Sequence, residues 1–176
     1  MDLTEKLSIL RKIPGWGYAH ISNNIFIIHN PNLDNCIDLI NQLDIEIHIV
    51  IEIMLTQSYA DKLAQLKIHK LTIYINFTSN LINCIFNVKH LYCIGSSWIR
   101  GIKFINLSTI EINLIGLAEE DEKCILHIIK ANNITNFHSH NNLKLINKIL
   151  DNMKNLKKLN ILIRENNIKY ILDYIQ

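Results

Sequence analysis

One spacing constrains this chain more than any other, and it returns five times. Ile68-x-x-Leu71-x-Ile73, Val88-x-x-Leu91-x-Cys93, Leu107-x-x-Ile110-x-Ile112, Ile134-x-x-Phe137-x-Ser139 and Leu156-x-x-Leu159-x-Ile161 share the order h-x-x-h-x-h, with Ser139 the one polar member at an h position. The closing h-x-h has the period of two that puts alternate side chains on one side of a strand. Repetition at a fixed interval marks a unit that buries its apolar side by stacking on its neighbours.

Runs rich in β-branched residues extend the pattern to Asn24–His29, Asp44–Ile53, His69–Ile75, Lys89–Ile94, Thr109–Leu114, Ile134–His140 and Lys158–Ile163, all read as strands with centres roughly 20 to 27 residues apart. Between them, apolar residues at helical spacing predict helices over Asn32–Ile40, Ser58–Leu66, Ser79–Phe86, Ala118–Ile129, Asn142–Met153 and Glu165–Ile175. Ser97–Phe104 is the weakest of the series, a short turn or 3₁₀ piece. Asp2-Leu3-Thr4-Glu5 has the form of a capping box, and Lys6–Ile13 continues it as a helix until Pro14 and the Gly15-Trp16-Gly17 turn. The expected organisation is one domain over 1–176. Residues 1–20 cap it, and 21–176 hold about seven strand–helix repeats.

The h-x-x-h-x-h units resemble the strand half of the leucine-rich repeat, L-x-x-L-x-L-x-x-N/C-x-L. The likeness covers residues 66 to 165 well and 20 to 55 loosely. The Asn of that motif stands at its place only as Asn76 and Asn142; Ser96, Ile115 and Arg164 occupy the other three. The triplets Asn35-Cys36-Ile37, Asn83-Cys84-Ile85 and Lys123-Cys124-Ile125 add a weaker echo in the helical halves. The resemblance is to a degenerate leucine-rich-repeat-like family. It implies a right-handed βα solenoid with a parallel sheet inside and short helices outside. It further implies a non-catalytic protein–protein interaction module, acting as scaffold, adaptor or subunit of a larger complex. A doubly wound α/β fold is the structural alternative. Units of ~22 residues are short against the ~30 of a βαβ crossover, and the five Gly form no Gly-rich βα loop.

Composition narrows the function classes. About one residue in five is Ile and about one in eight is Asn, a bias that AT-rich codons produce. With 49% apolar residues, 19% charged residues and a net charge of +2, the chain is neither disordered nor a strongly basic nucleic-acid binder. The charged N-terminus carries no secretory signal, and no apolar run approaches the ~20 residues that span a bilayer. A soluble intracellular protein is expected, cytoplasmic unless organellar or host-injected. Cys36, Cys84, Cys93 and Cys124 show no CxxC pair and read as buried thiols. Asn76, Asn106 and Asn133 open chance sequons without a glycosylation reading.

In a solenoid of this kind, the strand residues between the apolar positions line the concave face. They are Asp44, Glu46 and His48; Lys70, Thr72 and Tyr74; His90, Tyr92 and Ile94; Thr109, Glu111 and Asn113; Asn136, His138 and His140; and Lys158, Asn160 and Leu162. Aromatic residues on a rigid face make good anchors. The candidate partner-binding residues are therefore His48, Lys70, Tyr74, His90, Tyr92, Glu111, Asn113, His138, His140 and Lys158. The plain alternative is ordinary solvated strand surface. His138 and His140 share one side of a strand and, with Glu111 on the next, form a candidate metal set for a small metal-dependent hydrolase. A third reading is weak RNA binding by Lys144, Lys148, Lys154, Lys157, Lys158, Arg164 and Lys169. No nucleophile elbow, phosphate loop or HExxH motif is present, so no catalytic residue and no cofactor is assigned. The run Glu119-Glu120-Asp121-Glu122 suits a helix start.

Overall fold

Strand-forming Ile, about one residue in five, is the commonest residue on the apolar side of the strands. The computed structural model describes residues 2, 4–5, 8, 19–22, 25–29, 32–34, 37–42, 46–53, 55–74, 81, 83–94, 102–113, 119–140, 148–163 and 168–173. Its strands are β1 (Ala19–Ser22), β2 (Ile25–His29), β3 (Ile47–Ile51), β4 (Lys67–Ile73), β5 (Cys84–Ile94), β6 (Ile102–Ile105), β7 (Thr109–Asn113), β8 (Asn136–His140), β9 (Lys158–Ile163) and β10 (Ile168–Asp173). Its helices are α1 (Ile37–Gln42), α2 (Gln57–Leu63) and α3 (Glu119–Ala131).

The ten strands among the described residues form one sheet, ordered β1-β2-β3-β4-β5-β7-β8-β9-β10, with β6 also on β5. Every pairing among β2 to β9 is parallel. Antiparallel hairpins, β1 with β2 and β9 with β10, stand at the two ends. The protein is thus an α/β molecule with a mostly parallel sheet. A doubly wound sheet reverses its strand order at a switch point; here the order follows the chain.

Two apolar rows cross the sheet in register. One runs Ile28, Ile49, Leu71, Leu91, Ile110, Phe137 and Leu159, and the other Ile51, Ile73, Cys93, Ile112, Ser139 and Ile161. All are buried. The first h of each unit (Ile68, Val88, Leu107, Ile134, Leu156) is buried too. All fifteen h positions therefore face inward, Ser139 included at 1% exposure.

The two x residues between the first and second h have a backbone cause. The amides of Thr135 and Asn136 both donate to the Ser108 carbonyl, and those of Lys157 and Lys158 both donate to the Thr135 carbonyl. Two residues facing one is a β-bulge, which breaks strict alternation and turns two successive side chains outward. Hydroxyls follow the same line: Ser108 Oγ donates to the Lys89 carbonyl and Thr135 Oγ1 to that of Ser108. Between β6 and β7, β5 advances three positions, from Asn87 to His90, while the other strand advances four, from Ile105 to Thr109. Asn106, at φ 65°, lies in that step.

Asn side chains tie adjacent units together. Asn41 Nδ2 donates to the Gln65 carbonyl, Asn106 Nδ2 to Asn87 Oδ1 and Asn155 Nδ2 to Asn133 Oδ1, while Asn132 Oδ1 accepts from the Leu107 amide. These Asn side chains thus satisfy polar groups between neighbouring units.

Helix ends carry recognisable caps. Asp2 Oδ1 accepts from the Glu5 amide and a Glu5 carboxylate oxygen from the Asp2 amide, a reciprocal capping box. Thr56 caps α2 by accepting from the Tyr59 amide. Asn32 Oδ1 accepts from the Asp34 amide ahead of α1, an Asx turn.

Three expected helices are corrected. Within Ser79–Phe86, residues from Cys84 onward are strand, with Cys84, Phe86 and Val88 buried and Ile85 exposed, a period of two. Within Ser97–Phe104, residues 102–104 belong to β6. Within Glu165–Ile175, Ile168–Asp173 is β10, paired antiparallel with β9. Asn142–Met153 is helical over 148–150, and 142–147 lie outside the described residues. So do most of the N-terminal helix and the whole Gly15-Trp16-Gly17 turn. No helix among the described residues is long and apolar enough to cross a membrane.

Candidate recognition face

Parallel register carries the outward residues into rows, as it does the core. One row runs His48, Lys70, His90, Thr109, Asn136 and Lys158. The next runs His29, Val50, Thr72, Tyr92, Glu111, His138 and Asn160. A third holds Ile94, Asn113, His140 and Leu162. The side chains of Asn113, His140 and Leu162 lie outside the described residues, as does Asp44.

The face is not uniformly solvated. Val50 and Thr72 are buried at 4% and 3%. The expectation that Thr72 stands exposed is therefore corrected: its Oγ1 is 2.7 Å from His48 Nε2, a hydrogen bond that closes the face where β3 meets β4. Beside it lies the aromatic part. Tyr74, just past β4 and 46% exposed, meets Tyr92 edge-on at 6.2 Å between ring centroids. Lys70 Nζ lies 6.0 Å from the centre of the Tyr92 ring, within cation–π range.

At the other end Glu111, His138 and Asn160 are successive partners on β7, β8 and β9. Asn160 Nδ2 lies 3.2 and 3.3 Å from the two ring nitrogens of His138. Asn160 Oδ1 is buried without a hydrogen-bond partner. Among the described residues no three His, Cys, Asp or Glu side chains are placed to hold a metal.

Toward the start of the strands the bulge gathers charge. His69 Nδ1 is 3.1 Å from Glu46 Oε1, and the His69 and His90 rings are 4.7 Å apart. Burial holds His69 below the ordinary imidazole value despite Glu46, with Lys89 and Lys70 acting in the same direction as burial. His90 is pushed down to about 4 by burial, then by His69, Lys89 and Lys70. Sequence reasoning missed His69 and Lys89 among the outward residues. The signal was there: each is the first of the two x residues, which the bulge turns outward.

The thiols are core groups. Cys84 and Cys93 are buried, Cys124 is half-buried, and none of the three is in a disulfide. Burial, then Glu111, raises the Cys93 thiol. Cys36 lies outside the described residues. In the basic stretch Lys148 pairs with Glu122 at 3.5 Å, while Lys154, Lys157 and Lys158 are exposed. Comparisons with protein-family models, curated proteins and solved structures found no match to this chain.

Proposed function

We propose that the protein is a non-catalytic recognition module, a leucine-rich-repeat-like βα solenoid that binds a protein partner on the outward face of its parallel strands. The observation that carries this reading is the Tyr74–Tyr92 pair, flanked by Lys70, on a face whose register is fixed by the buried rows behind it. Aromatic side chains held on a rigid sheet lose little conformational freedom on binding and dominate interface energetics. Around them, His48, His90, Glu111, His138 and Lys158 supply a polar surround of both charge signs. Strand order that follows the chain, and one bulge line repeated across neighbouring strands, favour the solenoid reading.

Affinity capture from the native source tests the proposal. Tyr74→Ala combined with Tyr92→Ala folds normally and loses the partner that the unaltered protein retains; equal recovery by both overturns it. The hydrolase reading has Glu111 and His138 as register partners in its favour. Metal analysis of purified protein decides it, since a catalytic centre requires stoichiometric metal.

A further inference from the structure

A cavity of about 520 Å³ opens where the end of α1 meets the starts of β3 and β4 and the bulge line of β5 to β7. Ile40, Ile47 and Ile68 form its apolar floor, and Asn87, Asn106 and Ser108 part of its polar wall. Its volume is in the range of small-molecule sites.

Its charges do not balance. Lys67 and Lys89 both line the cavity and both are exposed. Lys67 is the register partner of Asn87, and Lys89 stands two residues further along β5, so the two lysines are diagonal neighbours on one side of adjacent strands. Neither has an ion-pair partner among the described residues, and the one carboxylate in the lining, Glu46, leaves the two lysines in excess by one charge. Like charges on adjacent strands repel, and a bound anion relieves the repulsion. The polar wall is already ordered: Asn106 Nδ2 donates to Asn87 Oδ1 at 2.9 Å, and Ser108 Oγ to the Lys89 carbonyl at 3.2 Å.

We propose that this cavity binds a small organic anion, with its phosphate or carboxylate head between Lys67 and Lys89 and its compact apolar body over Ile40, Ile47 and Ile68. The site is distinct from the Tyr74–Tyr92 surface, and its test does not depend on that reading. Lysine acts on such a head as a point charge, so affinity falls with added salt.

Calorimetric titration of the whole protein uses phenyl phosphate and benzoate as probes, with inorganic phosphate and benzyl alcohol as the head-only and body-only controls. The expected result is saturable binding of at least one organic anion, which also identifies the preferred head. Each control binds at least tenfold more weakly, and Lys67→Ala with Lys89→Ala weakens the organic anion at least tenfold while leaving the melting temperature within a few degrees. The His69 ring resonances of the unaltered protein shift on titration, which places the ligand in the cavity. No saturable binding, equal binding of either control, or unchanged affinity in the double variant overturns the proposal.

Discussion

Tyr74 and Tyr92 stand edge to face, ring planes at 88°, with Tyr92 on β5 and Tyr74 one residue beyond the end of β4. Tyr92 pairs in register with Thr72, so Tyr74 reaches it diagonally and remains exposed. An aromatic pair of this geometry contributes about 0.5–1.5 kcal/mol beyond area burial. Tyr74→Ala is expected to cost about 1 kcal/mol in urea unfolding, far too little to explain the complete loss of a partner by misfolding.

Acid is expected to weaken the fold through His90. Its native pKa, about 4, lies below the ordinary 6.5, so the unfolded chain takes up a proton first. Stability from this group is therefore present above pH 6.5 and is lost as pH falls toward 4. Allowing for solvent screening, the loss between pH 7 and pH 5 is about 1 kcal/mol. His69 is lowered as well and adds in the same direction. Unfolding curves of His90→Asn at both pH values are expected to show a smaller difference than those of the unaltered protein.

The buried rows define where a substitution is severe. Phe137 is fully buried in the row between Ile110 and Leu159. Phe137→Ala removes a ring from a packed interior and is expected to cost about 3–5 kcal/mol, several times the effect of Tyr74→Ala. Chemical denaturation of the two variants side by side measures that contrast.

Asn106 holds a left-handed conformation at φ 65° and donates to Asn87. Asn106→Ala loses the hydrogen bond and places a Cβ with no compensating polar group in that region, at a cost of about 1–2 kcal/mol. Asn106→Gly keeps the backbone permitted and is expected to cost less. Their unfolding midpoints should fall in that order.

Much of this architecture was legible because apolar spacing reports which side chains share a side. All fifteen h positions of the h-x-x-h-x-h units are buried, and among the residues expected to face outward whose side chains are described Thr72 is the one buried exception. Thr72 is closed in by its contact with His48, a cross-strand event that one strand's alternation does not encode. Short apolar runs fit helix and strand alike, which is why Cys84–Phe86, Ile102–Phe104 and Ile168–Asp173 read as helical or turn segments. Their strand partners, β6 on β5 and β10 on β9, decide them. The cavity at Lys67 and Lys89 was hidden for a related reason: its lining comes from α1, three strands and the step between β6 and β7, which share no local motif.

The most direct test is hydroxyl-radical footprinting of the free protein and of the complex captured from the native source. The account predicts that Tyr74 and Tyr92 are modified in the free protein and protected in the complex, while Ile85 and Ile105, exposed at 47% and 46% on β5 and β6, are modified equally in both. Protection of Ile85 and Ile105 with Tyr74 and Tyr92 unchanged would contradict it.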